Sequence, residues 1–351
     1  MNFRYLSIQD NPSLQLERLL KSNVIGTPGL SMLYQHLGVE QKLYTIAKPH
    51  FITIARNGVV IGTCCFCERE FREGLGLYVR YFAFKEGYRL KGAPHSKGHT
   101  KTSRIRTEIK DLLSSNVLLK KTSPFFHYAY VDPRNPRSSN ICKEFGFFPI
   151  RQYTTQLFSR IFPQAHTTLN MKQLPASSER IRSLLTTCYA AYNHFSFENL
   201  NKTYYYVEDE NGEIVAGVQV NPDAWRVLTL PGTYGKLLLS LFDRMPFFSR
   251  LLSRHFKFLA VEGMYCQQGQ ERVFEKLLEK LLHQYHLHTA IMVVDTNSPL
   301  YTLTQKIKLG LLAKLSPEVY GNVIARYQGL SEGFIQKQKS APSYISVHDV
   351  S

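Results

Sequence analysis

The 351-residue chain has one tryptophan, only six cysteines, and 27 acidic residues against 43 basic ones. No run approaches the roughly 18 uninterrupted apolar residues that a membrane-spanning helix needs, so stable insertion in a bilayer is not expected. The opening residues, MNFRYLSIQD, lack the apolar core and small-residue cleavage site of a secretory leader, and the expected location is the cytoplasm. Three cysteines, Cys64, Cys65 and Cys67, crowd into one strand-like run, CCFC. Neighbours along a strand point to opposite faces, so these three cannot form one tetrahedral cage. There is no C-x-x-C and no histidine pair at zinc spacing. Reduced, mostly buried thiols and no metal are therefore expected. G-x-S-x-G, a complete P-loop and H-E-x-x-H are also missing, which disfavours covalent hydrolase chemistry. No known RNA- or DNA-reading motif is visible, so nucleic acid is not an expected partner.

The composition is that of a globular protein, 44% hydrophobic and 20% charged, and the length suits two domains. The net charge of +16 implies an anionic partner. The excess concentrates between Arg80 and Lys121, where 11 Lys/Arg stand against three Asp/Glu. That stretch reads as a solvated basic loop, or as a cation set for cofactor phosphates, nucleic acid or an anionic membrane.

Along the chain, FRYLSI reads as a strand, SLQLERLLKS as a helix opened by Ser13, and LSMLYQHLGV as a second helix. HFITIARNGVVIGTCCFCEREF is a hairpin turning at Asn57-Gly58, the strongest short turn signal. A strand, a basic loop, a helix, a strand, a short helix stopped by Gly146 and a closing strand follow. The second half repeats this order, with a second hairpin at Asn211-Gly212. Such duplication predicts two tandem α/β domains, each a mixed sheet flanked by helices, over residues 1–162 and 166–330. Residues 331–351 read as a flexible tail. One insertion, near 233–255, breaks the parallel. Its Leu, Phe and Met are interleaved with Lys and Arg, which suits an anionic membrane; packing over the second sheet or at the domain interface is the preferred reading.

This repeated order resembles the GNAT (GCN5-related N-acetyltransferase) superfamily, as a tandem-domain member. The most specific local match is YVDPRNPRSSNICKEFGFFPI, with Asn135, Ser138 and Gly146-Phe147 at the family's places after the fifth strand. The resemblance covers nearly residues 1–330. It implies that the fourth and fifth strands of each half are parallel and splayed, with the pantetheine arm of an acyl-CoA in the gap and its pyrophosphate on the backbone N–H groups at the next helix. For that cradle the first half offers Arg89-Leu90-Lys91-Gly92-Ala93, with Pro94 where a small residue is usual. The second offers Gln267-Gln268-Gly269-Gln270, with Glu271 at the helix start opposing an anion. Electrostatics chooses between them: Arg89, Lys91, Lys97, Lys101 and Arg104 surround the first cradle against neutral Gln267, Gln268 and Gln270 at the second, so the donor that the resemblance implies, acetyl-CoA or another acyl-CoA, is placed in the first half near Ala83, Phe84, Arg89, Lys91, Gly92, Asn135 and Ser138. The second cradle reads as vestigial.

The implied chemistry needs a base to deprotonate an amine acceptor and an acid for the departing thiolate. The family's Tyr falls on Cys142. The candidate bases are Glu262 on the second half's fourth strand and Asp132 at the end of the first half's fifth strand. Each has a plainer reading: Cys142 as packing, Asp132 as a turn cap before Pro133, Glu262 as a half-exposed strand residue. Three functions compete: an acyl-CoA-dependent N-acyltransferase, a catalytically degenerate GNAT-fold protein that binds a CoA thioester or another anion, and a peripheral membrane or nucleic-acid binder using the basic loop. The sequence names neither the amine acceptor nor the oligomeric state.

Overall fold

The computed structural model describes residues 3–71, 74–85, 87, 101–119, 124–316 and 318–350, with the side chains of 101–103 excepted. The first half runs β1 (Leu6–Gln9), α1 (Leu14–Lys21), β2 (Leu33–His36), α2 (Val39–Thr45), β3 (Pro49–Arg56), β4 (Val59–Phe71), β5 (Gly74–Phe84), α3 (Lys101–Ser114), β6 (Phe125–Val131), α4 (Pro136–Glu144) and β7 (Phe148–Ser159). The second half runs β8 (Met171–Pro175), α5 (Glu179–Cys188), β9 (Thr203–Glu208), β10 (Ile214–Thr229), α6 (Gly235–Arg244), α7 (Pro246–Leu251), β11 (His255–Cys266), α8 (Glu271–Gln284), β12 (Thr289–Asp295), α9 (Pro299–Lys306), α10 (Leu311–Leu315) and β13 (Val319–Gln328). The chain ends in α11 (Glu332–Ser340) and α12 (Val347–Val350).

Local signals explain several elements. Ser13 caps α1, its hydroxyl accepting from the Leu16 N–H at 3.3 Å. Asn57 and Gly58 both take positive φ, 51° and 74°, as the tight β3–β4 turn requires. The amphipathic α8 buries Phe274, Leu277, Leu278, Leu281 and Leu282, one stripe at helical spacing.

Three expectations change. The first concerns the sheet. Two separate sheets were expected, but the strands of both halves join in one 13-stranded sheet, ordered β1-β3-β4-β5-β6-β13-β7-β12-β11-β10-β9-β8, with β2 beside β10. The closing strands are exchanged. β13 of the second half lies antiparallel to β6 of the first, and β7 of the first lies antiparallel to β12 of the second. β7 and β13 then pair with each other at the centre. Each half remains a mixed sheet flanked by helices.

The second concerns LSMLYQHLGV, read as a helix. Leu33–His36 is instead β2, and the helix begins only at Val39. β10 is 16 residues long and outruns its partner β9, which pairs it only as far as Gln219. β2 takes the ladder from Trp225 to Thr229, and Tyr34 stacks on Trp225 at 4.1 Å. The strand is made by this distant partner, which no local periodicity reports.

The third concerns residues 331–351, read as a flexible tail. α11 and α12 are helical, and Ser343, Tyr344, Ile345, Ser346 and Val347 are all buried in the interior.

Candidate functional site

In each half one parallel strand pair opens partway along. β5 and β6 pair from Leu75/Phe125 to Tyr78/Tyr128, although β5 continues to Phe84 and β6 to Val131. β11 and β12 pair only at Leu259/Ala290 and Ala260/Ile291, although they continue to Cys266 and Asp295. Both halves therefore contain a wedge between two splayed strands.

The second wedge is filled by the chain itself. Ser343, Tyr344 and Ile345 lie between Glu262–Met264 and Val293–Asp295, leaving a void of about 10 Å³. The plug is fixed residue by residue. The Ser343 N–H donates to Asp295 Oδ2 at 2.9 Å, and Asp295 is held by both guanidinium arms of Arg151. The Tyr344 N–H donates to the Asn193 carbonyl at 2.8 Å. Glu262 receives three donors from this segment: the Tyr344 hydroxyl on Oε2 at 2.7 Å, and the Ser346 hydroxyl and His348 N–H on Oε1 at 2.7 and 3.0 Å. Burial pushes the Glu262 carboxyl up to about 7, with these donors opposing.

Among the described residues the first wedge is open. It leads into a cleft of about 1830 Å³. β5 contributes Arg80, Ala83 and Phe84; β6 contributes Ala129 and Tyr130, with Asp132 just past its end; α4 and its cap contribute Asn135, Ser138 and Cys142. Tyr34, His36, Trp225 and Val350 border the same space. Beneath it lies a buried ion network. Arg69 grips Asp349 with both arms, at 2.6 and 2.8 Å, and donates to the Tyr128 hydroxyl and to Glu198. Arg80 donates to the His348 carbonyl at 3.2 Å. Lys42 pairs with Asp223 at 2.6 Å. The two guanidinium groups hold Asp349 below the usual Asp range against its burial. Burial, with Lys42 and Arg80 nearby, keeps His36 well below its ordinary value and therefore neutral. Among the described residues, Arg80 Nε, His36 Nδ1 and Trp225 Nε1 are buried without a hydrogen-bond partner. All three side chains line the cleft, and unpaired buried donors are uncommon enough to mark a place for a ligand or water.

No protein-family model matches the chain, and no curated protein matches it by sequence. Its shape has relatives. N-myristoyltransferase from Saccharomyces cerevisiae, solved with bound myristoyl-CoA, superposes at TM-score 0.55 with 9% identity, covering 95% of this chain and 87% of that one. A second structure of the yeast enzyme gives 0.54 at 8% identity, over 98% of this chain and 86% of that one. A tandem GNAT protein from the clavulanic acid biosynthesis pathway aligns at 0.45 and 11% identity, over 81% and 84% of the two chains; a likeness at that level adds no argument. At such identities only the fold is shared, and any chemistry of this chain has to be argued from its own residues.

Several residues singled out in the sequence meet at the first-half wedge. Ala83, Phe84, Asp132, Asn135, Ser138 and Cys142 all line the cleft. Asn135 caps α4, its Oδ1 accepting from the Ser138 N–H at 3.1 Å. Asp132 is occupied by Arg134, whose Nε and Nη2 reach its two oxygens at 3.0 Å. Burial pushes the Cys142 thiol up to about 11, so it stays protonated at neutral pH. Arg89, Lys91 and Gly92 lie outside the described residues. Glu262 was read as half-exposed but is buried under the C-terminal segment, with both oxygens facing donors of its own chain. In the second cradle Gly269 takes φ +85° and Glu271 pairs with Lys306 at 3.1 Å. The sequence reading missed Arg69, Arg80, His36 and Asp349. Arg69 and Asp349 are 280 positions apart, and no spacing rule connects them. The lone Trp225 was a composition signal that pointed to no role.

Proposed function

We propose that the chain is an acyl-CoA-dependent N-acyltransferase that takes its donor in the open first-half wedge, with acetyl transfer to an amine as the reaction. The contrast between the wedges among the described residues carries this reading: the second is filled by residues 343–345, while the first opens into the cleft. The cleft exceeds the about 300–1,000 Å³ of ordinary small-molecule sites, which leaves room for a CoA thioester and an acceptor together. Ala83, Phe84, Asn135 and Ser138 border the pantetheine path, and Arg89, Lys91 and Gly92 are assigned to the pyrophosphate. The unpaired donors of Arg80 and Trp225, with the neutral imidazole of His36, stand ready to orient the acceptor. In the transfer the amine nitrogen attacks the thioester carbonyl, the C–N bond forms, the C–S bond breaks, and the amine's proton passes to solvent while the thiolate is reprotonated.

One observation favours a second reading, a GNAT-fold binder without turnover. Of the four carboxylates that border the cleft among the described residues, Asp132 and Asp349 are each occupied by an arginine. A thermal-shift panel of CoA, acetyl-CoA and a long-chain acyl-CoA tests binding. A ligand at 100 times its Kd stabilises the folded state by about 2.7 kcal/mol. Ala129→Phe, which fills the open wedge, should abolish the shift. Arg89→Ala with Lys91→Ala should weaken it, more so in added salt. No shift with any thioester refutes the proposal, and a shift that survives Ala129→Phe moves the site elsewhere. Binding with no acylated amine by mass spectrometry leaves the second reading.

A further inference from the structure

The helix α6 is apolar on two faces. Its inner face, with Gly235 and Leu239 buried and Phe242 stacked on Phe248 at 5.1 Å, packs onto the protein. A Cβ at Gly235 would stand 1.9 Å from the Leu230 carbonyl oxygen, so the helix start lies hard against β10's end. Its outer face carries Tyr234, Leu237, Leu238, Leu241 and Met245 at steps of three and four, a second stripe at helical spacing. A helix seated on a core needs one such stripe. Here Leu237 is 67% exposed and Leu241 50%. Phe247 on α7, 54% exposed, meets the exposed ring of Phe162 edge-on at 5.9 Å and extends the patch.

Charge identifies the occupant. Residues 230–257 contain Lys236, Arg244, Arg250, Arg254 and Lys257 against the single acid Asp243. Asp243 is neutralised by Arg254 at 2.8 Å. Arg250 lies 4.9 Å over the Phe162 ring, so cations border the apolar stripe directly. A second copy of the chain would bring the same positive rim against itself, which is unfavourable. An anionic lipid surface satisfies both features, since apolar side chains enter the acyl boundary while Lys and Arg sit among the headgroups.

We propose that the α6–α7 hairpin docks this protein peripherally on an anionic lipid membrane. Leu230, Pro231, Leu252 and Phe256, at the base of the hairpin, also line the cleft, so docking brings the cleft wall close to the lipid. The proposal does not depend on acyl transfer. The test is co-sedimentation of the full chain with vesicles of phosphatidylcholine alone or with 30% phosphatidylserine added, at about 0.1 M and about 0.5 M salt, the latter shortening the range of charge attraction. Binding is expected only to the anionic vesicles, with at least a tenfold loss at the higher salt. Leu237→Gln with Leu241→Gln and Phe247→Gln should reduce it at least tenfold. So should Lys236→Gln with Arg244→Gln and Arg250→Gln. All six positions are exposed, and unchanged thermal midpoints verify that the variants fold. A wild-type chain left in the supernatant with anionic vesicles overturns the proposal, as does equal binding by the apolar triple variant. Concentration-dependent dimerisation lost in that variant, without vesicle binding, assigns the face to a second copy and also overturns it.

Discussion

Replacing Glu262 by glutamine tests whether its carboxylate is held at a cost. Burial raises its carboxyl from 4.5 to about 7 in the folded protein, whereas an unfolded chain releases that proton near pH 4.3. Between those values the folded state holds a proton that the unfolded state has lost, so this group's contribution falls as pH rises through the window. At about 1.4 kcal/mol per pKa step, the change amounts to about 3 kcal/mol between pH 4.5 and 7.5. The buried imidazoles act in the opposite direction. His127 and His194 are both pushed down to about 3 by burial, so they contribute more stability as pH rises toward 6.5. The wild-type profile alone therefore mixes both effects, and the difference between wild type and Glu262→Gln isolates the glutamate. Glutamine keeps one acceptor oxygen and carries no charge to bury. Relative to wild type the variant should gain about 3 kcal/mol in urea unfolding between pH 5 and pH 8. A difference that does not change with pH, or a variant that fares worse at pH 8 than at pH 5, would refute the reasoning and show that the three hydrogen bonds outweigh the burial.

Two further outcomes follow from the same interior. Asp349→Asn leaves Arg69 buried with its bidentate partner uncharged, and breaking a buried pair from one side costs about 3–5 kcal/mol; a loss under 1 kcal/mol in urea midpoints would mean that Glu198 and Tyr128 suffice for Arg69. Residues 1–165 expressed alone should give no cooperative thermal transition, because β13 fills the place between β6 and β7, and adding residues 166–351 should restore one. A sharp melt of the isolated first half would show that its own strands close the sheet.

Local features of the fold were legible and long-range ones were not. The Asn57-Gly58 turn and the Ser13 cap each depend on residues within a few positions, and each stands where the pattern placed it. The exchange of β7 and β13 left no mark, since an inward-facing strand has the same alternation whichever half it pairs with. Residues 341–350 lack periodicity because they neither form a long helix nor face one layer. Their burial rests on individual contacts, such as Ser346 with Glu262 and Asp349 with Arg69, that no window of sequence encodes. At the site, Asn135 and Ser138 were found through a local motif, but Arg80, His36 and Trp225 come from three strands that meet only after β2 joins β10.

The strand exchange and the filled second wedge share a consequence. A duplicated fold starts with two equivalent gaps, and two sites would be the simple expectation. Here the second gap holds the chain's own residues 343–345, whose anchors, Glu262, Asp295 and Asn193, all belong to the second half. The same segment then continues across to the first half, where Asp349 meets Arg69 and Arg80. Filling one gap thus supplies a wall of the other, as Val347, Asp349 and Val350 border the open cleft. Loosening the plug at Glu262 should therefore alter ligand binding in the first half without any substitution there. The second half contributes to the cleft through β10, β2's partner, and through the C-terminal segment it anchors.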